Sequence, residues 1–189
     1  MTTSIAWAAE VEQTVHNLSR LIQAQTVNPP GNELPAILLV KEFLEKAGVP
    51  AEMVTIVESM PNRVNLVARL RGDGSQRPLL LSGHVDVVPV EREHWSRDPF
   101  GGEVVDGVVW GRGALDMKGF LAMYLQIFLM LFRQKTPLKR DVILAAIADD
   151  RIPIAIRFGL VSGCDLKRER FVVLKCRSAV EPEARDAHH

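Results

Sequence analysis

Apolar residues recur at Ile5, Ala8, Val11, Val15, Leu18, Leu21 and Ile22, with Glu12, Gln13, Asn17 and Arg20 largely on the opposite side of the same helical wheel. Residues 4–25 therefore predict an amphipathic helix. It has to stop at Asn28-Pro29-Pro30-Gly31, because each proline lacks an amide donor and disfavours helix at the residue before it. A second helix fits residues 35–47 and ends at Gly48. Residues 51–57 and 64–70 are rich in Val, Met and Ile with partial alternation, and Ser59-Met60-Pro61-Asn62 punctuates them; two strands are expected. After the turn Arg71-Gly72-Asp73-Gly74-Ser75, residues 78–82 form a continuous apolar run of the kind found in a fully buried strand, which ends at Gly83-His84.

Further along, Val104-Val105-Asp106-Gly107-Val108-Val109-Trp110 signals a hairpin, since Asp-Gly supplies the positive backbone angles of a two-residue turn. Residues 117–134 predict a buried helix and residues 141–148 a last strand. The apolar run 120–132, broken only by Gln126, is too short to cross a bilayer core, which needs about 20 residues. Two helices, three strands, a hairpin, a helix and a strand imply an α/β fold, a mixed sheet covered by helices. The regular punctuation ends near Asp150. Residues 151–161 mix Pro153 and two arginines with scattered apolar positions, the chain is charge-rich from Lys167 onward, and residues 180–189 are expected to be disordered. Two segments follow: 1–150, and a divergent tail 151–189.

Composition narrows the function classes. Of 189 residues, 47% are hydrophobic, enough for a real core, and 23 Lys plus Arg balance 23 Asp plus Glu. No overall field draws the chain to nucleic acid or to an anionic membrane. Residues 1–15 carry Glu10 and Glu12 and lack a basic region ahead of an apolar core, so they do not read as a signal peptide and a cytoplasmic location is expected. Cys164 and Cys176 are the only cysteines, too few and too isolated for a disulfide framework or a thiolate zinc site.

Candidate chemistry sits in two places. In Ser82-Gly83-His84-Val85-Asp86 the i and i+2 side chains of an extended segment project to one side. A neutral imidazole can then bind a borderline metal while the carboxylate fixes its tautomer. Alone, the pair is better described as a hydrogen-bonded pair at a strand end. The second place is Gly111-Arg112-Gly113-Ala114-Leu115-Asp116-Met117-Lys118-Gly119, between the hairpin and the apolar helix. A dinucleotide fingerprint would require glycine where Asp116 stands and a position directly after a strand. With no GKS or GKT in the chain, a nucleotide-binding reading is disfavoured. Without a metal, Asp116 is a helix N-cap.

Together these stretches resemble the M20 family of metallopeptidases and amidohydrolases, whose members include acetylornithine deacetylase, succinyl-diaminopimelate desuccinylase, aminoacylase and glutamate carboxypeptidase. The resemblance rests on Ser82-Gly83-His84-Val85-Asp86-Val87-Val88-Pro89, on Trp95-Ser96-Arg97-Asp98-Pro99-Phe100-Gly101-Gly102, and on the stretch from Asp106 to Gly119; a looser likeness spans about residues 1–150. It implies part of a zinc-peptidase-like catalytic domain that hydrolyses an amide in N-acyl amino acids or small peptides. It also implies two Zn2+ per site, with Co2+ or Mn2+ as alternatives. His84 would ligate one ion, Asp116 would bridge both, and Asp86 would orient the His84 ring. The bridge is chemically sensible, since two nearby cations need a shared anionic ligand and a carboxylate has two oxygens to offer. A cis Asp116-Met117 peptide is also expected from the resemblance.

The chain departs from the pattern at Ala148-Asp149-Asp150-Arg151, where the family has a Glu-Glu pair, a general base followed by a zinc ligand. Asp150 would be a shortened base, one methylene further from its water. Arg151 has donors only and stays protonated, so it cannot replace an anionic ligand. His188 and His189 are not recruited. The lid or dimerisation domain of the family is not recognisable, so no oligomer through it is expected. The expectation is a truncated or frame-disrupted member, either a hydrolase or an inactive remnant or binding module with a partial metal site.

Overall fold

The computed structural model describes residues 5–135, 137–149 and 172–174. Helix α1 is Trp7–Gln23 and helix α2 is Leu34–Lys46, close to the expected spans. The cluster Asn28-Pro29-Pro30-Gly31 separates them, with cis peptides at Asn28-Pro29 and Pro29-Pro30. Residues 51–53, expected as the start of a strand, form a single 3-10 turn. Strand β1 is Val54–Met60 and β2 is Arg63–Leu70; the turn between them uses Asn62 at φ +62°, a left-handed conformation that Asn tolerates. Strand β3 is Leu79–His84. The predicted hairpin is present as β4, Val104–Val105, and β5, Val108–Val109, joined by Asp106 and Gly107 at φ +51° and +78°. Helix α3 is Lys118–Gln134 and strand β6 is Val142–Ile147.

The sheet is mixed. Its order is β1-β2-β6-β3-β7, where β7 is Val172–Leu174. Strand β2 is antiparallel to both β1 and β6, whereas β3 runs parallel to β6 and to β7. The sequence pattern does not announce β7, which lies beyond the expected boundary at Asp150 and joins the sheet beside β3. Its signal is the short apolar run Phe171-Val172-Val173-Leu174.

The three helices cover one face of the sheet. Leu21 of α1, Ile37, Val40 and Leu44 of α2, and Leu121, Leu125 and Phe128 of α3 pack on Leu66, Leu81, Leu144 and Ala146. The alternate residues Val67, Leu80, Ile143, Ala145 and Ile147 form a smaller cluster on the opposite face. Only the C-terminal half of the α1 stripe behaves as expected. Leu21 and Ile22 are fully buried, while Val11 is 59% exposed and Asn17, expected on the polar side, is buried. Polar contacts also tie the N-terminal half of α1 to α3: Gln126 and Arg133 both donate to Glu10. Among the described residues no helix is long and apolar enough to cross a membrane.

One end of this sheet gathers the chemistry. Strands β3 and β6 are parallel and finish together, with His84 opposite Ile147. The antiparallel β2 begins at that same end with Arg63, and α3 starts there because Gly83 lets β3 approach the backbone of Leu121. Ligand sites of open α/β sheets lie at this kind of edge, outside the carboxyl ends of parallel strands.

Candidate functional site

The last residue of β3, His84, is held at both ring nitrogens. Nδ1 lies 2.9 Å from Asp86 Oδ1 and 3.1 Å from the Asp86 carbonyl oxygen. Both are acceptors, so Nδ1 carries the proton. Nε2 lies 3.3 Å from Asp116 Oδ1. In a neutral ring that nitrogen is an acceptor too, and it faces a carboxylate. Two lone-pair atoms at this separation need a positive charge between them, either a proton or a metal ion. The ring pKa reflects the proton alternative. Burial alone would lower it, but the hydrogen bond and charge of Asp86 together with the charge of Asp116 outweigh burial and raise it above the ordinary histidine value.

The same spacing suits a metal. Two donors each about 2.0–2.1 Å from a tetrahedral zinc stand about 3.3 Å apart, which is the separation between Nε2 and Oδ1. The Asp116 side chain is 63% exposed, so its second oxygen is open to another ion. The helix N-cap alternative fails, because α3 is capped at Met117 and no side chain bonds its first turn. The Asp116-Met117 peptide is cis, as the resemblance implied. The donor set is short of a full coordination shell, however. Among the described residues no group of three or more His, Cys, Asp or Glu side chains could hold a metal ion. Asp150 and Arg151 lie outside the described residues, as do His188, His189 and the segment 180–189 expected to be disordered.

Several residues reach this end of the sheet that the sequence reading did not single out. Asn28 donates through Nδ2 to Asp86 Oδ2 at 2.8 Å and to Asp149 Oδ2 at 3.1 Å. Arg63 donates from one terminal nitrogen to Asn28 Oδ1 and from the other to Asp149 Oδ2, each at 3.1 Å. Its Nε lies 3.0 Å from Glu33 Oε2. Glu33 is fully buried, and burial raises its pKa against the opposing charge of Arg63. Asp149, the residue before the candidate base, is therefore committed to Asn28 and Arg63.

Lys118 is the other surprise. It is fully buried and its Nζ donates to the carbonyl oxygens of Leu21 and Ala24 at 2.9 and 2.8 Å, at the C-terminal end of α1. It thereby ties α1 to the segment that carries Asp116. Burial pushes its ammonium down to about 7. Between that value and the ordinary lysine pKa of about 10.4, the unfolded chain holds a proton the folded chain has released, so stability rises with pH across the window. The expected result is a urea midpoint higher at pH 9 than at pH 7, and a smaller rise in Lys118→Met.

The glycines around Asp116 serve close packing, not phosphate binding. A Cβ on Gly119 would collide with the Ala114 carbonyl oxygen, and one on Gly113, at φ +86°, would press on Val87 and Lys118. Gly119→Ala is expected to lower stability by about 1–3 kcal/mol, the usual range for overpacking, read from urea denaturation at fixed pH.

Residues 80–152 match the model of Peptidase family M20/M25/M40. The succinyl-diaminopimelate desuccinylase of Cereibacter sphaeroides is 39% identical over 131 residues, which cover 69% of this chain and 33% of that protein. The chain spans about a third of the length of the curated relatives it matches. Among solved structures, the M20 family metallo-carboxypeptidase Sso-CP2 of Sulfolobus solfataricus superposes with a TM-score of 0.63 at 22% identity, covering 77% of this chain and 33% of that one. The Bacillus subtilis YXEP protein, named as a dinuclear metal binding peptidase from the M20 family, superposes with a TM-score of 0.51 at 15% identity, covering 82% and 40%. These two likenesses show the fold.

Proposed function

This chain belongs, through its N-terminal part, to the M20 family of peptidases, and from that premise we propose that it carries the first half of a zinc site that hydrolyses an amide in an N-acyl amino acid or small peptide. The observation that carries the reading is His84, whose Nδ1 is tied to Asp86 while Nε2 faces Asp116 at 3.3 Å. His84 and Asp116 would hold one Zn2+, and the exposed second oxygen of Asp116 would reach a second, as in the dinuclear site ascribed to the YXEP protein. Co2+ or Mn2+ could replace it. Such an ion supplies Lewis acidity, polarising the scissile carbonyl and lowering the pKa of a water.

The protein's own part is positional. Asp86 keeps the proton on Nδ1, which leaves the Nε2 lone pair directed outward, and steadies the ring as positive charge builds beside it. Asp116 supplies negative charge to both positions. Asp150 takes the proton from the attacking water and hands it to the leaving amine. Its carboxylate is one methylene shorter than the Glu of the family pattern, so turnover is expected at a reduced rate. The substrate class follows from the succinylated amino acid that names the desuccinylase, and the functional segment is residues 1–150. A cytoplasmic location goes with this reading.

A specific observation favours a second reading, a partial metal site without turnover. Only His84 and Asp116 converge among the described residues, and a catalytic zinc usually has three protein ligands. Elemental analysis of the purified full chain, with assays of several N-acyl amino acids with and without added zinc, separates the two. Near-stoichiometric zinc and turnover that Asp150→Ala abolishes support the hydrolase. Zinc without turnover establishes the partial site, and neither zinc nor turnover removes both.

A further inference from the structure

The carboxylate that orients His84 is itself held from behind. Asp86 uses Oδ1 for the ring and Oδ2 for Asn28, so both of its oxygens are engaged and it cannot spin freely. Which way the Asn28 amide points is fixed by its neighbours. Arg63 has only donors, so the atom it faces must be the amide oxygen. Asp86 and Asp149 are acceptors, so the atom they face must be the amide nitrogen, and its two hydrogens are both used. The backbone is fixed as well. Asn28 N donates to the Val87 carbonyl at 2.9 Å and Val87 N donates to the Thr26 carbonyl at 3.0 Å, stitching this loop alongside the segment that follows β3.

We propose that Asn28 is a positioning residue: its side-chain amide, locked by Arg63, sets the rotation of the Asp86 carboxylate and through it the tautomer of His84. The inference rests on His84 acting as a ligand through Nε2, as in the hydrolase reading. A ring with its proton on Nδ1 offers Nε2 to an ion, whereas the alternative tautomer blocks it. Free imidazole side chains populate both, so something must choose. The Asp86 carbonyl oxygen already favours a proton on Nδ1, and the chain from Arg63 through Asn28 to the Asp86 carboxylate reinforces that choice without touching the ion.

The test uses nitrogen NMR of the imidazole rings in the full chain, without metal and at a pH where they are neutral. The protein has five histidines, and the His84 signals are assigned by their loss in His84→Gln. Wild type should show the Nδ1-protonated form of His84 predominating, and Asn28→Ala should shift it to a mixture. Zinc affinity should fall about 10-fold, the lower end of what loss of an outer partner costs. Thr26→Val removes the hydroxyl that donates to the Val85 carbonyl in the same loop and should leave the tautomer unchanged. An Asn28→Ala chain with the wild-type tautomer and zinc affinity overturns the proposal, and so does a Thr26→Val chain that shifts equally. If Asn28→Ala does not fold, the wild-type side-chain amide decides: two distinct, slowly exchanging protons are expected, and solvent-like exchange overturns the idea. A wild type that binds no zinc removes the hydrolase reading, while the tautomer comparison still decides the relay.

Discussion

Asp116→Asn should lower the zinc affinity of the full chain by on the order of 100-fold or more, beyond the 10- to 100-fold that follows loss of an outer-shell partner. The substitution keeps the shape of the side chain and removes its charge. The new amide could still present an oxygen to the ion, but one neutral oxygen cannot offset a dication, still less bridge two. The same variant has a consequence without metal. The charge of Asp116 helps hold the His84 pKa up against burial, so the ring should titrate lower in Asp116→Asn. Asp86→Asn should lower it further, since it removes both the side-chain hydrogen bond and the larger charge contribution. In wild type the raised pKa means that the protonated ring stabilises the fold below the ordinary histidine value of about 6.5, and that this contribution is lost as pH rises through the folded pKa. Isothermal titration with zinc and proton NMR of the ring give the two orderings. Equal zinc affinity in Asp116→Asn and wild type would remove Asp116 from the site.

The sequence made these three residues legible because their chemistry is local or motif-borne. His84 and Asp86 are two apart on an extended segment, and a period of two already places them together. Asp116 was legible only through the surrounding Gly-Arg-Gly-Ala-Leu-Asp-Met-Lys-Gly pattern. The parts that hold them were hidden for a physical reason. Asn28 meets Asp86 across 58 positions of chain and Arg63 meets Asp149 across 86, and no period reaches that far. In sequence Asn28 reads as the start of a helix-breaking cluster, and Arg63 falls just outside the strand expected over residues 64–70. A charged residue at the head of the strand Arg63–Leu70, all but one of whose residues are buried, was the available signal. Lys118 was visible as a motif letter, but that its ammonium closes the end of α1 follows only from how α1 and α3 cross. Strand β7 was overlooked for the opposite reason: its apolar run is short, and the charged residues around it dominate any window.

Arg63→Met should cost about 3–5 kcal/mol at pH 7, the range expected when one partner of a buried ion pair is removed. Methionine replaces most of the volume, so the loss comes from charge. Glu33 is fully buried and Asp149 nearly so, and both face the guanidinium at 3.0–3.1 Å. Without it, burial and the like charges of Asp86 and Asp149 are opposed only by a backbone hydrogen bond to the Glu33 carboxyl, so its folded pKa rises further above that of the unfolded chain. A group with a raised folded pKa contributes stability below its unfolded value and loses it as pH rises through the folded one. The deficit of Arg63→Met relative to wild type should therefore shrink as pH falls from 7 towards the unperturbed carboxylate range near 4. Adding Glu33→Gln should recover part of the loss at pH 7, because a neutral amide costs less to bury than an unpaired carboxylate. Urea denaturation of the three chains at pH 7 and pH 5 measures all of this. A deficit independent of pH and indifferent to Glu33→Gln would mean that Arg63 acts by packing alone. In that case the lock on Asn28 would be steric and not electrostatic, and Arg63→Met would leave the orientation of its amide unchanged.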